Sequence, residues 1–198
     1  MLNLSIMSTN TLYPIFLKLE NMTTLIVGGG KVAVEKLYFM LKNSPNAHIR
    51  MVSESYSAEA LDLIGENKNV EVITSKYHER QLSGISLVIA ATNNRLVNQQ
   101  IKKDANALNV LVNVADTPDL CQFYLGGIVT KGDLKIAFST NGKSPVLAKR
   151  LRGFFEQVIP ENIQVLLDNL DSIRKKVRPD LKKKTALLNN LTSDFMKM

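Results

Sequence analysis

Gly28, Gly30 and Ala33 stand at the spacing G-x-G-x-x-A, between the β-branched run TTLIV (23–27) and a helix-forming run that begins KVAVEK. The first glycine permits a tight turn, the second lets backbone approach a bound group, and the alanine lets helix and strand pack closely. Amide hydrogens and the positive end of a helix dipole then face the turn, which suits it to a phosphate or pyrophosphate. Gly28, Gly29, Gly30, Lys31 and Val32 are therefore candidate cofactor contacts. Alone, such glycines also serve as a packed strand-to-helix connection; with strand–helix alternation on both sides they point to dinucleotide binding.

A dinucleotide in such a turn needs ribose contacts at the end of the second strand and chemistry beyond the ends of the later ones. The second strand closes with MVSESY, which puts Ser53 at the ribose position and Glu54 beside it. Arg50 lies inside that strand, a poor place for a clamp on a 2′-phosphate, so the pattern favours NAD over NADP. The fourth strand ends AATNN and the fifth VNVADTPDLCQF, offering Ala91, Thr92, Asn93 and Asn113 as neutral cofactor contacts. Asp116 is the carboxylate placed immediately at a sheet end and is the candidate catalytic group; Asp-x-Pro is also good turn chemistry, and both readings stand. His48 and His78 are far apart, no cluster of His, Cys or carboxylates has ligand spacing, and no protein metal site is expected.

The elements that must position these residues follow from periodicity. TTLIV, HIRMVS (48–53), VEVITS (70–75), SLVIAAT (86–92) and NVLVNVA (109–115) are short and apolar, and read as strands of a parallel sheet buried on both faces. KVAVEKLYFMLKN, SAEALDLIGEN and NRLVNQQIKKDANAL carry helical spacing between them, with Ser57 as an N-cap. The alternation predicts a doubly wound, Rossmann-like α/β domain over residues 1–115. DLKIAFST (133–140) is a further strand in a small α+β extension. Val146, Leu147, Leu151, Phe154, Phe155 and Val158 are expected to share the buried face of a helix opened by Ser144 and Pro145. Beyond residue 159 only helices are read, broken at Pro179.

The 198 residues, 45% hydrophobic and 22% charged, are those of a globular protein, and no apolar run is long enough to span a bilayer. The first ten residues lack a signal-peptide pattern and Cys121 is the single cysteine, so a cytoplasmic location is expected. The net charge of +7 is concentrated at the C-terminus, where eight Lys and Arg face three Asp from Asp171 onward. Such a run is either a solvated helix face or an attraction for polyanions. No aromatic platform or reading motif accompanies it and Trp is absent, so nucleic acid is not an expected partner.

Four segments, YPIFLKLENMTTLIVGGGKVAVEK, LVIAATNNRLVNQQI, VNVADTPDLCQF and LKIAFSTNGKSPVLAKRLR, occur in this order over residues 12–156. Together they resemble the precorrin-2 dehydrogenase family, the N-terminal module of siroheme synthases, some members of which also insert ferrous iron. The resemblance implies NAD-dependent oxidation of precorrin-2 to sirohydrochlorin, a homodimer formed through residues 116–158, and a functional aspartate matching Asp116. It leaves 159–198 as a helical segment without a usable motif, and the chain as too short to hold the methyltransferase of longer siroheme synthases. A polycarboxylate substrate of this kind would suit Lys143, Ser144, Lys149, Arg150 and Arg152, clustered after STNG; the same cations also fit a solvated helix face. Two departures stand out: CQFYLGG lacks the proline that follows this phenylalanine in many relatives, and Thr140 replaces a serine that some relatives phosphorylate. An NAD(H)-sensing regulatory module without turnover is the alternative, and it would have no need of a carboxylate facing the nicotinamide.

Overall fold

The computed structural model describes residues 10–176 together with 185, 189, 190 and 192. The expected break at Pro179 lies outside the described residues. Five parallel strands, β1 (Thr23–Val27), β2 (His48–Ser53), β3 (Val70–Thr74), β4 (Leu87–Ala90) and β5 (Leu111–Val114), form one sheet in the order β3-β2-β1-β4-β5. Helices α1 (Lys31–Asn43), α2 (Ala58–Gly65) and α3 (Arg95–Ala107) connect them. This is the Rossmann-like α/β architecture that the alternation of apolar runs predicts.

Register makes the strands end together. Ile73, Val52, Val27, Ala90 and Val114 face one another across the sheet in a single row. The residues immediately after that row therefore share one carboxyl edge. Strand order reverses between β1 and β4, and such a reversal opens a crevice at that edge.

The two faces bury separate clusters. Leu25, Val27, Val52, Val88, Ile101, Val112 and Val114 pack on one side, while Ile26, Ala33, Leu37, Met51 and Ile89 pack on the other. Ala33 is fully buried, so the third position of the glycine-turn motif sits against the sheet. Local caps fix the helix starts: the Ser57 hydroxyl accepts from the Ala60 amide, and the Asn94 side-chain oxygen accepts from the Leu96 and Val97 amides. The expectation that all five strands are buried on both faces needs one correction. β3 is an edge strand, and Glu71, Val72 and Thr74 are exposed along it.

Beyond the sheet the chain builds a second compact unit. The first unit runs to Leu125 and includes Asn141–Ser144; the second comprises Gly126–Thr140 and the chain from Pro145. In the second unit, β6 (Gly127–Lys131) and β7 (Leu134–Phe138) form an antiparallel hairpin, followed by α4 (Pro145–Val158) and α5 (Ile163–Lys176). The tight turn places Gly132 at φ +55°, in the left-handed region that glycine tolerates. Val129, Ile159 and Ile163 form the core of this unit with Leu134, Ile136, Phe138, Phe155 and Leu166 packed against them.

α4 does not bury the face expected from its spacing. Phe155 packs on Phe138 with ring centroids 5.2 Å apart, but Val146, Leu147, Phe154 and Val158 remain 48–63% exposed. The helix carries two apolar stripes, and a two-stranded hairpin covers only the one that includes Phe155. Hydrophobic spacing marks both stripes alike and does not say which of them the same chain will cover.

Candidate functional site

A cleft of about 1130 Å³ lies along the carboxyl edge of the sheet, wholly within the first unit. Its floor is the glycine turn. Gly28 has φ +130°, and a side chain there would strike the Ala91 carbonyl, because the Gly28 and Ala91 amides bond to the neighbouring strands' Val52 and Val27 carbonyls at 2.8 Å. Gly29 is equally crowded: a Cβ would meet the Ser55 carbonyl and lie 2.9 Å from the Ser53 hydroxyl. Gly30 differs. It is exposed, and a Cβ there would meet nothing within 4 Å. Gly30 is also the N-cap residue of α1 and supplies no side-chain cap. The first amides of α1 thus open onto the cleft without a side chain in front of them, the arrangement a pyrophosphate requires. On this ground the turn fits a dinucleotide.

Of the residues expected to contact a cofactor, Gly28, Gly29, Gly30, Lys31, Val32, Ser53, Glu54, Ala91, Thr92 and Asn93 line the cleft together. Thr92 shapes its wall rather than offering a loose hydroxyl, since Thr92 Oγ1 donates to Asn98 Oδ1 at 2.6 Å. Ser53 likewise donates to the Ser55 carbonyl at 2.7 Å, leaving its oxygen only acceptor capacity. The structure places Asn113 elsewhere. It is 7% exposed, and its amide donates to the Phe123 carbonyl at 2.8 Å, beneath the edge. Alternation explains this: Asn113 lies in β5 itself, before the row at which the strands end.

Asp116 reaches the cleft through a turn. The Thr117 amide bonds to the Val114 carbonyl at 3.2 Å, and Asp116 occupies the third position with φ +58°. That position usually selects glycine or asparagine. The half-buried Cys121 thiol braces the turn, lying 3.2 Å from both the Val114 amide and the Val114 carbonyl. Burial pushes the Cys121 thiol up from its ordinary value, which keeps it protonated and able to donate. Asp116 lines the cleft at the end opposite Glu54, beyond β5 where Glu54 lies beyond β2.

The basic set is divided between the units. Lys143 and Ser144 fall in the first, whereas Lys149, Arg150 and Arg152 are on α4 in the second. Arg152 pairs with Glu156 one turn away at 3.7 Å, while Arg150 is exposed.

Several cleft residues escaped the sequence reading. Lys76 and Tyr77 follow β3, and Val97 and Gln100 lie on the first turns of α3. The Tyr77 hydroxyl donates to Asp104 Oδ2 at 3.1 Å, and Gln100 Nε2 donates to Asp104 Oδ1 at 2.6 Å. Burial, reinforced by the Asp104 carboxylate, pushes the Tyr77 phenol far above its ordinary value. Tyr56 pins the loop after β2 by reaching the Met51 and Ile73 carbonyls at 3.0 and 2.9 Å. The rule that ligands lie beyond strand ends, applied to β3 as well as to β2, β4 and β5, would have found Lys76 and Tyr77.

A family model described as "Putative NAD(P)-binding" matches residues 15–127, more than half of the chain. The chain belongs to that NAD(P)-binding family. A second model, described as "Sirohaem biosynthesis protein central", matches residues 131–157 of this family member. Among curated relatives, the siroheme synthase of Pseudoalteromonas translucida (strain TAC 125) is 40% identical over 169 residues, covering 85% of this chain and 35% of its own length. The siroheme synthase of Psychrobacter cryohalolentis is 38% identical over 176 residues, covering 89% and 32%. The chain thus spans about a third of the length of these relatives. Among solved structures, SirC, precorrin-2 dehydrogenase, superposes with a TM-score of 0.76 at 25% identity, over 94% of this chain and 92% of that one. Among the described residues no helix is long and apolar enough to cross a membrane, and no group of three or more His, Cys, Asp and Glu could hold a metal ion.

Proposed function

We propose that this chain oxidises precorrin-2 to sirohydrochlorin with NAD as its cofactor. The observation that carries the reading is one cleft with an open helix N-terminus over Gly30 at its centre and the Asp116 carboxylate at its β5 end. The likeness to SirC, which extends over nearly all of both chains, supports the choice of substrate. When bound, NAD supplies the acceptor for the hydride that leaves the tetrapyrrole. Gly28, Gly29, Gly30, Lys31 and Val32 hold the pyrophosphate, Ser53 and Glu54 meet the ribose, and Ala91, Thr92 and Asn93 bound the cofactor beyond β4. Asp116 takes the proton that leaves with the hydride, or faces the positive charge left on the conjugated nitrogens. Lys143, Ser144, Lys149, Arg150 and Arg152 attract the substrate's carboxylates. The chain works as a homodimer, for which the uncovered stripe of α4 supplies an apolar surface.

The test is anaerobic incubation with precorrin-2 and NAD+. Formation of sirohydrochlorin and NADH in equal amounts is the expected result. NAD+ binding without turnover at any protein concentration would favour the sensor instead. The same preparation, given sirohydrochlorin and ferrous iron, reports chelation independently of NADH.

A further inference from the structure

The cofactor cleft carries one opposite-charge pair at its β2–β3 end, and the NAD reading gives that pair a task. β2 and β3 stay in register to Ser53 and Thr74, and the Ser75 amide extends the ladder to the Ser53 carbonyl at 3.0 Å. Each segment then places a charged residue on the cleft: Glu54 after β2 and Lys76 after β3, with Glu54 Oε1 and Lys76 Nζ 3.9 Å apart. A Rossmann-type ribose lies beyond the end of the second strand, so its 2′ substituent meets this pair.

Arg50, the arginine within β2, is out of play. Arg50 Nε is bound to Glu71 Oε2 at 2.8 Å, and Arg50 does not line the cleft. Lys31 does line it, but at the first position of α1 beside the glycine turn, where the pyrophosphate is read. Lys76 is left as the ammonium at the ribose end. Its root is fixed: buried Gln81 donates to Ser75 Oγ at 2.9 Å, and that hydroxyl donates to the Lys76 carbonyl at 2.9 Å. Its head is not. Both side chains of the pair are more than 60% exposed, and an exposed pair at this separation is weak enough for Lys76 to change partner.

We infer that Glu54 and Lys76 together form the selector for the 2′ position of the cofactor, with Glu54 excluding a 2′-phosphate and Lys76 held beside it as a latent phosphate partner. The inference rests on the dinucleotide reading above. A carboxylate accepts hydrogen bonds from ribose hydroxyls but repels a phosphate dianion. With the carboxylate neutralised, the same position presents an uncompensated ammonium, and the charge preference inverts. NAD preference in this chain thus hangs on a single side chain, and the cation needed for NADP is already in place.

Equilibrium binding of NAD+ and NADP+ to the full chain, wild type against Glu54→Gln and the double variant Glu54→Gln/Lys76→Ala, tests this. The wild type is expected to bind NAD+ more tightly. Glu54→Gln should tighten NADP+ by about tenfold, weaken NAD+ severalfold, and show the NADP+ gain shrinking with added salt, as for an exposed charge pair. Adding Lys76→Ala should abolish the NADP+ gain. An unchanged NAD+/NADP+ ratio in Glu54→Gln, or a gain that survives loss of Lys76, overturns the selector while leaving NAD+ binding intact. A folded wild type that binds neither dinucleotide overturns the cofactor reading itself. Thermal unfolding of each variant separates a lost site from a lost fold.

Discussion

At Asp116 two demands meet in one residue. Its backbone sits at φ +58°, where a non-glycine residue costs about 1 kcal/mol or more, yet its side chain is a carboxylate delivered to the cleft rather than a small polar turn former. Asp116→Ala and Asp116→Asn should each lower NADH formation about 10²-fold or more while leaving NAD+ affinity within about twofold. Steady-state rates beside equilibrium binding check this, and undiminished turnover would remove the carboxylate from the chemistry. The glycines divide by function in the same way. Gly30→Val should weaken NAD+ binding at least about tenfold with little change in melting temperature, because its side chain enters open cleft space. Gly29→Ala should instead destabilise the fold, because its Cβ runs into the Ser55 carbonyl. The roles of Gly28 and Gly30 are readable from their spacing. That of Gly29 is not, since the atoms crowding it belong to the loop after β2, well separated in sequence.

Among the elements, β1, β2, β4 and β5 and the helices between them were legible because apolar period and cap chemistry agree over each segment. What the sequence concealed was lateral position. VEVITS has the same β-branched character as the interior strands, but its place at the edge is set by strand order, which no local pattern encodes. That is also why Gln100 went unread: it lies on the second turn of α3, and only the register of the sheet brings it into one cleft with Lys76 and Tyr77. The Tyr77–Asp104–Gln100 contact joins the segment after β3 to α3 and leaves a signature in pH. The folded state holds the Tyr77 phenol protonated above its ordinary value, so the unfolded chain ionises first as pH rises. Stability from this group is therefore complete below about pH 10 and is lost as pH climbs beyond it. Denaturant titrations of wild type and Tyr77→Phe from about pH 8 to about pH 11 should show a steeper loss in the wild type. Parallel curves would mean that Tyr77 ionises alike folded and unfolded.

For the whole molecule, the uncovered stripe of α4 is the feature that an isolated chain least accounts for. Leu147, Phe154 and Val158 stand about half exposed on a helix whose other stripe is packed on the hairpin. With the homodimer proposed above, this stripe is covered by a second copy, and Phe154→Asp should shift the chain from dimer to monomer in sedimentation equilibrium without unfolding it. A variant that stays dimeric would place the interface elsewhere. Spacing alone revealed that α4 is amphipathic; whether its apolar residues face their own chain or another depends on how much sheet the chain provides, and two strands provide little.

A bound dinucleotide is expected to cross the carboxyl edge from Glu54, over the Gly30 turn, to Asp116. A crystal structure of the protein with NAD+ would show whether it does. The expected result places the pyrophosphate on the amides that open α1, the adenosine ribose beside Glu54 and the nicotinamide ring at the Asp116 end of the cleft. A cofactor bound elsewhere, or bound here with its nicotinamide at the β3 end and Asp116 in solvent, would contradict it.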